Sequence, residues 1–135
     1  MVRSTVGYHL GDEQRINRFP ATPLCSLSWW FEGRSETLVS DRPDTMPTVH
    51  SARAPIPGRW VLAGPQTRPT TSWCADPTHA MMLMLMPDAL HLLTGISPEA
   101  LTDRMVDARS LLPHDWLSMC EAVQHQADDA ARLEC

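Results

Sequence analysis

The residues here with the most chemistry in them are sulfur and imidazole side chains: four cysteines and six histidines in 135 residues. Zinc takes Cys and His in a tetrahedral set. Cys25, Cys74 and His79 are the candidate metal ligands, with His50 and Cys120 as further members. Cys74 and His79 flank an Asp76-Pro77 turn, which suits adjacent strands but matches no standard finger spacing. The commoner role of such thiols is that of small buried hydrophobes, and it is the favoured one for Cys25 and Cys120. A redox switch through Cys25 and Cys74 is weaker still, because no basic neighbour lowers either thiol pKa. A metal-dependent enzyme would need two nearby histidines followed by a carboxylate. His50 and His79 are far apart and neither has a Glu beside it. No Ser-His-Asp spacing stands out either. A non-catalytic chain with no cofactor is therefore expected, and a small metal-dependent enzyme using His and Cys ligands is the alternative.

A second group could hold an organic ligand. Trp29, Trp60 and Trp73 fall on strand-like segments, as do Met82 and Met84. Large flat rings and adaptable thioethers suit an apolar pocket. For the inward-facing tryptophans a filled core is as strong a reading as a pocket, and for the methionines plain core is the commoner use. Arg53 and Arg59 could bind an anionic ligand, although a solvated strand edge is their commoner role. Trp116, Cys120 and Val123 recur at helical spacing near the C-terminus. They offer either a two-fold dimer contact or a face that packs on the chain's own strands.

These residues must be positioned by short elements, because twelve prolines break up the chain. Residues 1–18 are polar and aperiodic, and are expected to form a tail or an edge element. Residues 24–31 (LCSLSWWF) alternate, which puts Cys25, Leu27 and Trp29 on one face and Trp30 on the other. A turn at 32–35 and a return strand at 36–40 predict a hairpin. Further strands are expected at 48–54, 59–63, 71–75 and 80–86, with a loop at 41–47. With no helical crossover between them, the strands favour an antiparallel sandwich or small barrel. At Pro87 the period changes. Pro87 suits a first helical turn and Gly95 a helix stop, while Ser97-Pro98 suits a second start, with Leu101 and Met105 on one face of that helix. Pro113 and Asp115 open a third helix. The final residues still read as helix, which suggests a chain that continues in its parent protein. The predicted class is α+β in one compact domain: tail or edge element 1–18, β-barrel 19–86, helical segment 87–135.

Composition excludes several function classes. The net charge is −5, and the eleven basic residues are scattered. A nucleic-acid footprint needs clustered Lys and Arg. No apolar run reaches the length of a membrane span, and the N-terminus lacks the apolar core of a secretory signal. A cytoplasmic location with reduced thiols is expected.

Three segments together carry a family resemblance: FPATPLCSLSWWFEG (residues 19–33), the Ala63-Gly64-Pro65 step after a short apolar strand, and MPDALHLLTGISPEALTDRMVDA (residues 86–108). In the third, Pro87, Ala89, Leu90, Leu93, Gly95, Ile96, Ser97, Leu101, Asp103 and Val106 match the pattern. The chain resembles the N-terminal regulatory domain in one branch of the AraC/XylS family of bacterial transcription regulators. The resemblance implies a cupin-like β-barrel followed by helices, a small-molecule effector, homodimerisation, or both. It implies DNA contact only through a C-terminal pair of helix-turn-helix units, which this chain lacks.

Overall fold

The computed structural model describes residues 2–7, 16–33, 35–39, 52–74 and 78–134. His50, Cys135, the 41–47 loop, the Asp76-Pro77 turn and the first part of the strand expected at 48–54 lie outside them.

Among the described residues the chain is α+β, with two antiparallel sheets and few helices. The first sheet has the order β1 (Val2–Gly7), β8 (Thr78–Leu85), β3 (Cys25–Glu32), β6 (Trp60–Ala63), β9 (Met105–Asp107). The second has the order β2 (Ile16–Phe19), β7 (Thr70–Cys74), β4 (Ser35–Val39), β5 (Ala52–Pro55). Residues 1–18 thus contribute an edge strand to each sheet. Three α-helices follow: α1 (Pro87–Thr94), α2 (His114–Gln124) and α3 (Asp129–Leu133).

The alternation in β3 has the expected result. Cys25, Leu27 and Trp29 are buried, whereas Trp30 on the other face is half-buried. Cross-strand neighbours extend this apolar surface, since Leu27 pairs with Leu62 and Leu83, and Trp29 with Trp60 and Met81. Leu90 of α1, and Cys120 and Val123 of α2, complete one continuous core on this face. Ser28 and Val61 are buried on the opposite face, and Leu38, Thr71 and Trp73 share a buried face of the second sheet.

Two expectations are corrected. Strands β3 and β4 do not form a hairpin. Both edges of β3 are taken, by β6 and the long β8. A register irregularity at Phe31 and a left-handed Gly33 turn the chain away, and β4 pairs with β5 and β7 instead. Secondly, residues 97–106 do not form a helix. Pro98–Leu101 makes only a 3-10 turn, Asp103 is left-handed (φ 56°), and Met105–Asp107 joins the open edge of β6. That edge offers unpaired backbone groups. Gly64 N–H donates to the Arg104 carbonyl, and the Asp103 N–H to the Pro65 carbonyl. Sheet pairing therefore outcompetes the local helical signal, and the sheet runs past residue 86 into the segment expected to be helical.

Helix α1 follows its sequence signals. Pro87 opens it, Asp88 sits in the first turn, and left-handed Gly95 (φ 76°) closes it with an N–H bond to His91 O at 2.8 Å.

Candidate functional site

The candidate metal ligands are held apart. On β3, Cys25 pairs with Leu85 and Glu32 with His79. The step from Leu85 to His79 along β8 separates the two by about 20 Å at strand rise. Cys25 is fully buried in the helix-facing core, whereas Cys74 lies on the second sheet. Its sulfur touches Ser35 Oγ at 3.2 Å and accepts from Asn17 Nδ2 at 3.6 Å. No cluster of three metal-ligating side chains occurs among the described residues.

His79 takes part in a different arrangement. Its Nε2 lies 3.0 Å from the Asp129 carboxylate, which also pairs with Arg132 at 2.7 Å. The Arg132 guanidinium stacks 3.7 Å from the Phe31 ring centre, and Phe31 packs against His79. This set fastens short helix α3 to the ends of β3 and β8, with Asp128 capping α3 through the Ala131 N–H. These contacts make a structural clip: an Arg132–Asp129 ion pair and a His79–carboxylate hydrogen bond over an aromatic floor.

Burial fixes the thiol chemistry. It pushes the Cys120 thiol up to about 11. The Cys25 thiol is also raised, by burial first and then by the negative charge of Glu99. The thiolate is the reactive form. Alkylation of native protein at pH 8 is therefore expected to label Cys74 well before Cys25 or Cys120, with peptide mapping as the readout. Early labelling of Cys120 would contradict its burial. The stability consequence has a definite sign. In the unfolded chain Cys120 ionises near 9.0, below its folded value, so its contribution is intact below about pH 9 and is lost as pH rises toward 11.

The candidate ligand residues divide between two places. Trp29 and Trp60 sit side by side on the helix-facing side of the first sheet. Trp29 is 1% exposed and its indole N–H donates to the Cys120 carbonyl at 3.2 Å, so it serves as core and as a tie to α2. Met82 and Met84 are half-buried on the other face of that sheet, opposite Ser28 and Ser26. Trp73 is buried in the second sheet, with the Arg53 guanidinium 4.2 Å over its ring.

Of the candidate dimer residues, Cys120 and Val123 are buried in the chain's own core, so the face they share is not open to a partner. Trp116 is half-buried, and its indole N–H reaches the Leu93 carbonyl at 3.3 Å, joining α2 to the end of α1. The exposed apolar residues of this region lie elsewhere, at Met86 (61% exposed), Leu92 (82%) and Leu93 (59%). Their signal is present in the sequence, since α1 carries more leucines than one buried stripe can use.

One cleft opens beside Trp60. It measures about 380 Å³ and is lined by Pro57, Gly58, Arg59, Trp60, Arg109 and Gln124. The Trp60 indole N–H donates to Gln124 Oε1 at 3.1 Å. Asp107 holds the Arg109 guanidinium through two bonds of 3.2 and 3.3 Å. Sequence reasoning finds two of this group, Trp60 as a ligand residue and Arg59 as a possible anion binder; Arg109 and Gln124 come from distant segments with no shared local pattern.

No protein-family model matches this chain, and no curated protein or solved structure matches it.

Proposed function

We propose that this chain is a non-catalytic regulatory domain of the AraC/XylS type, which dimerises, senses a small molecule, or does both. DNA contact in this reading belongs to helix-turn-helix units outside this chain. One observation supports it above the others. The segment that carries the resemblance leaves β8 at Pro87, forms a helix anchored by Leu90, and keeps Leu92 and Leu93 uncovered. A helix placed between a β body and more C-terminal elements is suited to bias the position of those elements. A ligand acts in such a domain only through its differential affinity for two arrangements.

The second copy of this chain is the occupant expected on the α1 face. Each leucine buried there contributes roughly 1.5–3 kcal/mol. The double substitution Leu92→Asp, Leu93→Asp is then expected to weaken self-association by at least about a hundredfold, with little change in melting temperature. Sedimentation across a concentration series measures it. A wild-type chain that stays monomeric throughout removes the dimerisation half. A metabolite and metal screen by thermal shift tests the sensor half, which fails if no compound moves the transition.

A further inference from the structure

We propose that the cleft beside Trp60 is a binding site for a small, flat organic carboxylate. Its chemistry is almost wholly that of a hydrogen-bond donor. The indole N–H of Trp60 can only donate, so the atom of Gln124 facing it must be the amide oxygen. That fixes the orientation of the amide and leaves its NH₂ group free to donate to a ligand. Arg59 is exposed and makes no side-chain ion pair or hydrogen bond among the described residues. Arg109 is oriented by Asp107 through its Nε and one Nη, and its remaining N–H groups are uncommitted. Two guanidiniums against one carboxylate leave the cleft locally positive on a chain of net charge −5.

Arginine is the side chain best shaped for a planar carboxylate, which it can grip through two parallel bonds. The Trp60 indole and the Pro57 ring supply apolar surface in the same cleft, where a flat ligand body can lie. The volume falls within the range of small-molecule sites. Gly58 contributes by its lack of a side chain. A Cβ there would come within 3.0 Å of the Asp107 carboxylate that holds Arg109 in place. The walls come from the turn before β6, from the 3-10 turn at Ala108–Ser110 and from the last residue of α2. A bound carboxylate would therefore bridge strand and helix. The cleft's chemistry is the same in a free-standing domain and in a regulatory one.

The test uses 2-naphthoate as probe and its uncharged amide as control. The chain has five tryptophans, so ¹H–¹⁵N spectra of the whole protein give one indole signal for each, and Trp60→Phe identifies the relevant one. The expected result is a saturable shift of the Trp60 signal with naphthoate and none with naphthamide. Arg59→Gln, at an exposed position, should leave the other indole signals in place and weaken binding by about tenfold or more. The proposal is overturned if the Trp60 signal stays still, if naphthamide moves it equally, or if Arg59→Gln binds as the wild type does.

Discussion

Gly64→Ala is expected to be far more damaging than the same methyl group added at Gly58 or Gly95. Gly64 is buried directly after β6. A Cβ at this position would overlap the backbone carbonyl of Leu101, and it would meet the Leu101 side chain as well. Neither neighbour can swing aside. The Leu101 side chain is core, 2% exposed, and its carbonyl accepts from the Arg104 N–H at 2.9 Å. Gly64 N–H itself donates to Arg104 O at 3.2 Å, and Gln66 Nε2 donates to Gly64 O. Forced separation would therefore break the start of the β6–β9 pairing along with the packing. The cost is expected at about 3 kcal/mol or more, a large part of the stability of a domain this size. Gly95→Ala is the control. It has nothing within 4 Å of its would-be Cβ and faces only the left-handed backbone penalty at φ 76°, about 1–2 kcal/mol. Urea unfolding curves compare them: the Gly64 midpoint should fall much further, with the slope little changed. Equal losses at both sites would contradict the close approach of Gly64 to Leu101.

Trp29→Ala is expected to detach α2 from the first sheet. The indole fills the space between Trp60, Met81 and α2, and it is among the largest fully buried side chains. Removing it costs about 3–5 kcal/mol in transfer and cavity energy. Loss of the indole N–H donor removes one hydrogen bond to the Cys120 carbonyl, roughly 0.5–1.5 kcal/mol, because that oxygen lies within α2 and keeps its helical partner. Trp29→Phe separates these effects, because it keeps most of the ring and drops only the donor. Its loss should be a fraction of the alanine loss. Hydrogen exchange of the α2 amides gives a local readout: Trp29→Ala should expose Cys120 and Val123 long before β3. Unchanged α2 protection would show that the helix is held by other contacts, such as Trp116 on Leu93 O.

Much of the local structure is legible in the sequence. The alternation from Cys25 to Trp30 specifies which face of β3 is buried, because strand side chains alternate by geometry alone. Pro87 and Gly95 bracket α1 for equally local reasons: a fixed φ at the start and tolerance of positive φ at the end. The Ala63-Gly64-Pro65 step stands out as a motif, but its reason is tertiary, since Leu101 comes up against Gly64 from a distant part of the chain. The segment after Ser97 misleads for a related reason. Its helical signals are real but short, and the free edge of β6 offers hydrogen bonds that no pattern within the segment can reveal.

The same division runs through the candidate sites. Residue types nominate Cys25, Cys74 and His79, yet strand register sets Cys25 and His79 at opposite ends of one pair and puts Cys74 on another sheet. Helical spacing nominates Trp116, Cys120 and Val123 as a surface, and burial turns Cys120 and Val123 inward. Trp60 is nominated for a pocket. Arg59 stands next to it in the chain, whereas Arg109 and Gln124 join them only because the 3-10 turn and the end of α2 converge on β6. By itself the sequence determined strands β3, β4, β6, β7 and β8, the helix bounded by Pro87 and Gly95, and the buried face of β3, all of which follow from the local geometry of neighbouring residues. The tertiary structure alone decided which strands pair and which donors meet in one cleft. Those depend on contacts between residues far apart in the chain, and their free energies appear only when the parts are assembled.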